Sequence, residues 1–221
     1  MTPVVRATLL GVVAGAVGLF LYRNPPADPQ PAQHTRYIKI DAKGQPLGPW
    51  KGPWKCVYDT QTHLLWEVKK DNESVHDFHC SFSWYQDGIG HPGGGRCFDP
   101  TLADTSILIQ RTNQERRCGV TGWRLPTPDE LRSLIQPPTR AGDPTIATDF
   151  FPFTQNGPYW TSQRSHNLKG IYARAKEGAV SIHFGTHISA DKKVRVMPLE
   201  HTTFVRLVTP SLPPAIDKKK P

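Results

Sequence analysis

Helical periodicity is what this chain has least of. Outside residues 1–23 no sustained Ala- or Leu-rich period appears, which excludes a helical bundle, and 22 Pro and 18 Gly in 221 residues favour short strands joined by long loops. Catalytic signatures are missing too. No nucleophile elbow is present, Ser81 and Ser83 beside His76 and His79 do not make one, and Gly93-Gly94-Gly95 lacks the strand-turn-helix setting of a phosphate loop. Without an Asp-x-Asp-x-Asp-Gly run, Asp71, Asn72, Glu73, Asp87 and Asp99 read as solvated acids. The segment His76-Asp77-Phe78-His79-Cys80, with His91 and Cys97 beyond it, concentrates ligand types without the paired spacing of a structural zinc site, so neither metal nor cofactor is expected. Negative charge is in deficit: 19 acids face 27 Lys and Arg, a formal net charge of +8. That balance points to acidic partners, whereas nucleic acid is excluded because no recognition motif accompanies the charge.

Long apolar runs are limited to one. Ala7 to Tyr22 is uncharged and spans about 24 Å as a helix, and recruiting Val4 and Val5 brings it near the ~30 Å hydrocarbon thickness. The only small-residue cleavage pattern, Ala14-Gly15-Ala16, lies inside the run, so residues 1–23 read as an uncleaved signal anchor, with cleavage and secretion as the alternative. Arg6 keeps the N-terminus cytoplasmic and exports the rest, which in a bacterium means an inner-membrane protein with a periplasmic domain. Gly11 and Gly15 form a small-residue face able to pack on another membrane helix. Residues 24–35, with Pro25, Pro26, Pro29 and Pro31, read as an extended spacer, and 210–221, with Lys218, Lys219 and Lys220, as a disordered basic tail. Residues 36–209 remain as one domain of about 170 residues, with no apparent internal repeat.

That domain is organised around Gly122-Trp123-Arg124-Leu125-Pro126-Thr127-Pro128-Asp129-Glu130-Leu131-Arg132-Ser133-Leu134-Ile135. Thr127 is placed as an N-cap, Pro128 suits the first helical position, and Glu130 completes a capping box. Leu131, Leu134 and Ile135 share one face, and Pro137 and Pro138 stop the helix after two or three turns. Trp123, Arg124 and Leu125 read as structural: an aromatic anchor, a partly buried guanidinium on backbone carbonyls, and a core Leu. Elsewhere, Tyr37–Ile40, Cys56–Asp59, Leu64–Lys69, Tyr159–Ser162, Gly170–Ala175, Ala179–Phe184 and Thr203–Val208 read as strands. Trp66 with Leu64 and Val68 marks one buried face. Ser81 to Asp99 is a long Gly-rich loop, and Asp104 or Thr105 caps a helix running to about Arg116, with Ile107, Leu108 and Ile109 supplying its apolar contacts.

The run Gly-Trp-Arg-Leu-Pro-Thr-x-x-Glu-Leu-x-Ser-Leu resembles the signature of the Lcl C-terminal domain family, first named from a collagen-like bacterial adhesin. Cys56-Val57-Tyr58-Asp59 with Leu64-Leu65-Trp66-Glu67-Val68-Lys69, then Phe151-Pro152 with Tyr159-Trp160-Thr161-Ser162, then Phe204-Val205-Arg206-Leu207-Val208 match in the same order. The resemblance implies an α+β, C-type-lectin-like fold with short antiparallel strands, two main helices and long loops. It also implies a distant likeness to formylglycine-generating enzymes. Their chemistry uses two cysteines near the C-terminal end, and this chain has none after Cys118. At His63 the family usually has Gly, which implies a left-handed backbone there.

Cys56, Cys80, Cys97 and Cys118 all follow the apolar run, and an even number in an oxidising compartment favours two disulfides. Three pairings are open. The preferred one joins Cys56 to Cys118, tying the first strand to the approach of the organising helix, and Cys80 to Cys97, closing the Gly-rich loop. Candidate ligand contacts are Arg116, Arg117, Lys192, Lys193 and Arg195, with Trp84, Tyr85 and Trp160 as aromatic platforms. Against these stand a solvated surface for the bases and a core position for Trp160. The sequence thus reads as a non-enzymatic, membrane-tethered binding or adhesion module for an acidic polysaccharide or envelope protein. The alternative is a non-catalytic scaffold subunit of an envelope complex.

Overall fold

The computed structural model describes residues 36–99, 101 and 103–217. The expected anchor, the spacer, the Gly11 and Gly15 face and Lys218 to Lys220 lie outside these residues. In chain order the first strands are β1 (Tyr37–Ile40), β2 (Cys56–Asp59), β3 (Leu64–Glu67), β4 (Phe82–Ser83), β5 (Tyr85–Gln86) and β6 (Ile89–Gly90). Two helices follow, α1 (Thr105–Gln114) and α2 (Pro128–Arg132). The chain closes with β7 (Pro158–Ser165), β8 (Gly178–His183), β9 (Val194–Pro198), β10 (Thr202–Thr203), β11 (Val208–Thr209) and α3 (Pro214–Asp217).

Two antiparallel sheets carry the architecture, one in the order β1-β2-β3-β11 and the other β7-β8-β9. In the first, Ile40 faces Cys56, Cys56 faces Glu67, and Trp66 faces Val208. Its alternation divides the residues between two apolar clusters. Leu64, Trp66, Val57 and Val208 join Leu131, Leu134, Phe151, Tyr159 and Phe184 on one side. Cys56, Tyr58 and Leu65 join Phe82, Trp84, Leu108, Trp123, Leu125 and Trp160 on the other. The Leu64, Trp66 and Val68 face is buried as expected, and the opposite face is buried as well. A strand covered on both sides reads as a continuous apolar run, which is the pattern of Leu64-Leu65-Trp66.

The helix starts follow their sequence signals. Asp104 Oδ1 accepts the Ile107 N–H at 2.9 Å and begins α1, of which Leu108, Thr105 and Thr112 are buried. In α2 the Thr127 hydroxyl accepts from Glu130 N–H at 3.2 Å while Glu130 Oε2 accepts from Thr127 N–H at 2.8 Å, with Pro128 at the first position. This helix is shorter than its apolar spacing implies: the N–H groups of Leu134 and Ile135 already turn to carbonyls three residues back, at Leu131 and Arg132, and Gln136 N–H then bonds to the Thr145 carbonyl. The exit comes before Pro137 is reached.

Four segments depart from the sequence reading. The Gly-rich stretch contains β4, β5 and β6 and folds tightly: a Cβ on Gly95 would lie 2.2 Å from the Ala103 carbonyl oxygen and 2.3 Å from that of Ser81. Only glycine admits that approach. Residues 170–175 hold a 3-10 turn at Gly170–Tyr172, with Ile171 89% exposed, where a strand was expected. Thr203–Val208 divides into β10 and β11, which pair with β4 and β3 in different sheets. Residues 210–217, expected to be tail, carry α3, and Ile216 and Leu212 pack on the core.

The disulfides join Cys56 to Cys118 and Cys80 to Cys97, the pairing preferred from sequence. By loop-closure entropy they stabilise by about 4 and about 3 kcal/mol respectively.

The β2–β3 turn places His63 at φ 58°, the left-handed region, with Nδ1 2.9 Å from the Tyr58 hydroxyl. A side chain there costs about 1–2 kcal/mol. His63→Gly and His63→Ala both remove the Tyr58 contact, so their comparison isolates the backbone: denaturant titration is expected to show the Gly variant about 1 kcal/mol more stable than the Ala variant. Equal stability would remove strain from the account of this turn.

Candidate functional site

Several residues singled out as contacts serve the interior. Trp84 and Trp160 are buried, and their indole N–H groups donate to the carbonyls of Thr161 and Phe82 at 2.9 and 2.8 Å. They lace β4 and the following loop to β7 and offer no platform to solvent. Lys193 is equally committed: its ammonium donates to Thr145 Oγ1 and the Gly185 carbonyl, both at 2.9 Å. Arg117 is buried and donates to the Val68 carbonyl at 2.7 Å. Arg116, Lys192 and Arg195 are exposed, and Tyr85 is half-buried. The structure does not gather these eight residues into one surface.

A different concavity is present. A cleft of about 510 Å³ is lined by residues of three segments: Pro53 and Trp54, Val68 to Asn72, and Pro152 and Phe153. Its volume falls in the range of small-ligand sites. The Trp54 indole is fixed from two directions: its N–H donates to the Phe150 carbonyl at 2.9 Å, and the Lys39 ammonium lies 3.8 Å from the ring centroid. Phe153, from another lining segment, is 46% exposed and sits at φ 59°. A bulky residue in the left-handed region costs about 1–3 kcal/mol, and such strain concentrates at functional sites. Its ring stacks on Phe78 at 5.2 Å, and the His79 ring lies tilted against Phe78 at 3.8 Å.

Beneath the cleft lies a buried charge cluster. Glu67 is fully buried. Its Oε1 accepts from Lys69 Nζ at 2.9 Å and lies 2.7 Å from His76 Nδ1, while Oε2 accepts the Leu207 N–H at 3.0 Å. His76 Nε2 continues the chain to Glu115 Oε2 at 3.0 Å. Burial pushes the Glu67 carboxyl up, but the charge of Lys69, the bond to His76 and the charge of Arg117 outweigh it and hold it well below the ordinary carboxylate range. Arg206, buried over the Phe151 ring, donates to the Glu67 carbonyl at 2.7 Å and to Thr154 Oγ1 at 2.8 Å, tying the residues that adjoin Val68 and Phe153 to each other.

Lys69, Arg117 and Arg206 are buried around the Glu67 carboxylate, with Glu115 at the surface, while Asp71 lines the cleft and buried Asp77 lies beside it. At the rim, partial burial and then the neighbouring charges of Lys55 and Arg117 push the Lys70 ammonium below its usual value. Among the described residues Lys70 has no carboxylate partner. Lys70 is thus the cation in the cleft lining that is free to meet an anionic group.

The ligand-rich segment 76–80 is dispersed: His76 enters the buried cluster and Cys80 a disulfide. Asp71, Asp77 and His79 do meet beside the cleft, with ligand atoms within 4.8 Å of one another. Asp77 already serves the local turn, accepting from the N–H groups of Asn72 at 2.7 Å and His79 at 2.8 Å.

Sequence reasoning missed Trp54, Lys70 and Phe153. One signal was available for the first: Gly48-Pro49-Trp50-Lys51 is repeated at once as Gly52-Pro53-Trp54-Lys55. Nothing local marks Phe153 as part of the cleft lining, because it meets the other lining segments only through the fold.

A family profile described as Lcl C-terminal domain matches residues 55–209. No curated protein and no solved structure matches the chain.

Because Glu67 is depressed in the folded state, its stabilisation is present above the unfolded carboxylate value and is lost as pH falls below it. Glu67→Gln leaves Lys69, Arg117 and Arg206 buried without their counter-charge and is expected to cost about 3–5 kcal/mol at neutral pH. Urea titrations should show the gap between variant and wild type narrowing as pH falls below about 4.5 toward the lowered folded-state value of Glu67. A constant gap would show that the carboxylate charge contributes nothing there.

Proposed function

This chain belongs to the Lcl C-terminal domain family, and from that premise we propose that it is an exported, membrane-tethered adhesion module whose Trp54–Phe153 cleft binds an acidic polysaccharide. The family is of adhesin type, which supports a binding role over catalysis. Tethering by residues 1–23, a periplasmic location and a C-type-lectin-like fold belong to the same proposal. They rest on the apolar N-terminal run and on the family signature. The observation that carries the ligand assignment is the cleft itself: a pinned indole and a strained phenyl ring in its lining, with amide and carboxylate groups and the partnerless Lys70 ammonium beside them. An aromatic face takes the C–H face of a sugar ring, and Lys70 supplies an unpaired cation for its acid group.

The scaffold-subunit reading has the Gly11/Gly15 helix and the long loops both contacting protein partners. The two readings make different demands on the protein. Full-length protein in neutral detergent is expected to bind one or a few members of a panel of envelope and sulfated polysaccharides, saturably and at about 0.15 M salt, where attraction between exposed charges is strongly screened. Trp54→Ala and Lys70→Ala should each weaken that binding by about tenfold. Phe153→Gly should weaken it too while leaving thermal stability unchanged or raised, because glycine relieves the left-handed strain. Binding that follows polymer charge alone and vanishes with salt, or that ignores all three substitutions, would sink the cleft reading. A scaffold subunit would instead lose its partners on changes within residues 7–22.

A further inference from the structure

We infer that the tandem Gly-Pro-Trp-Lys sequence at residues 48–55 forms two successive stacking subsites, so that the ligand is an extended chain of acidic sugar rings and not a single or terminal sugar. The inference rests on the polysaccharide reading of the cleft. Its starting point is the immediate duplication of four residues in a segment that forms neither helix nor strand. A turn has no need of tryptophan, and two copies of Trp-Lys on a Gly-Pro frame place a chemical pattern twice.

The two indoles differ in setting in a way that fits inner and outer subsites. Trp54 is half-buried and lines the cleft. Trp50 is 67% exposed, the most exposed tryptophan of the described residues. It occupies a turn closed by Lys51 N–H donating to the Gly48 carbonyl at 3.0 Å. Pro49 presets that turn and limits the freedom of the ring it precedes. An indole held exposed on a short stiff turn loses little further entropy when a ligand covers it.

Both copies are tied to one rigid element. Lys39, from the middle of β1 and itself buried, donates from Nζ to the Pro49 carbonyl at 3.0 Å and lies over the Trp54 ring at 3.8 Å. A single ammonium therefore fixes the first turn and the second indole together. The two tryptophans are four positions apart, a reach of at most about 14 Å, which a short run of linked sugar rings covers. Each tryptophan is followed by a lysine, Lys51 exposed and Lys55 half-buried, neither with a carboxylate partner among the described residues. One ring and one cation per repeat complements a polymer with one apolar face and one acid group per unit.

Tryptophan and lysine also suit an anionic bilayer surface. The Trp54 N–H argues against that occupant, because interfacial indoles direct this group to wet headgroups and here it is spent on the Phe150 carbonyl.

The test measures binding of full-length protein in neutral detergent to oligogalacturonates from dimer to octamer, with sulfated oligosaccharides of the same lengths in parallel, for wild type, Trp50→Ala and Trp54→Ala. Wild-type affinity is expected to rise with chain length. Trp50→Ala should match wild type on the dimer and bind the octamer about tenfold more weakly, whereas Trp54→Ala should lose affinity at every length. Trp50→Ala indistinguishable from wild type at all lengths overturns the second subsite and leaves the cleft reading standing. Trp54→Ala indistinguishable from wild type at all lengths overturns the cleft reading and this inference with it. Trp50-dependent capture of phosphatidylglycerol vesicles, without a change in oligosaccharide binding, overturns the inference in favour of a lipid surface.

Discussion

The carboxylate of Glu67 holds together parts of the chain that no local interaction connects. It sits at the end of a central strand with no exposure to water, yet it accepts from Lys69, contacts His76 and receives the backbone N–H of Leu207. The Glu67 N–H donates in turn to the Leu207 carbonyl at 3.0 Å, and the Glu67 carbonyl takes the Arg206 guanidinium. One residue thus joins the second hairpin strand, the loop that follows it and the chain's return 139 residues later. Burying such charges is costly, and several bonds at short range are what make it sustainable. Lys69, a member of this cluster, also lines the cleft, so the arrangement that closes the fold reaches the site.

A second set of charge-assisted bonds positions the organising helix. Arg124 grips the Glu130 carboxylate with both terminal nitrogens, at 2.8 and 2.7 Å, while Glu130 also caps the helix start. Burial pushes the Glu130 carboxyl up, and the bonds from Arg124 and the Thr127 N–H overcome it, holding the group below its ordinary value. Arg36 repeats the device at the other end: it is bidentate to buried Asp59 at 3.0 and 2.7 Å and donates to the Ser133 carbonyl at 3.0 Å. The short helix α2 is thereby anchored at both ends, and Leu131 and Leu134 are pressed into the cluster behind the cleft wall. Asn113 completes the frame by bonding both the N–H and the carbonyl of Trp123, from α1.

Features set within a few residues were legible. The capping box at Thr127, the Asp104 cap, the alternating Tyr37–Ile40 strand and the left-handed turn at His63 all depend on neighbours close along the chain. Arg124 was read as bonding backbone carbonyls, and it does donate to that of Leu125, but its main partner is a carboxylate six residues away. The functional residues fared worse for a definable reason. Tryptophan and lysine look alike in sequence whether they face water or the core, so Trp84, Trp160 and Lys193 passed for contacts while Trp54 and Lys70 did not stand out. Burial separates them, and burial is a property of the partner surface.

The amino-acid sequence by itself determined the family, the helix starts, most of the strands and an even set of cysteines, because short-range sterics and hydrogen bonding act between residues that are already adjacent. Tertiary structure alone decided that the first sheet is covered on both faces, that Arg117 and Arg206 are interior cations, and that residues 53–54, 68–72 and 152–153 meet around one cleft. Those outcomes follow from which distant surfaces exclude water from each other. That competition is settled by the packing of the whole domain, and no stretch of the chain encodes it locally.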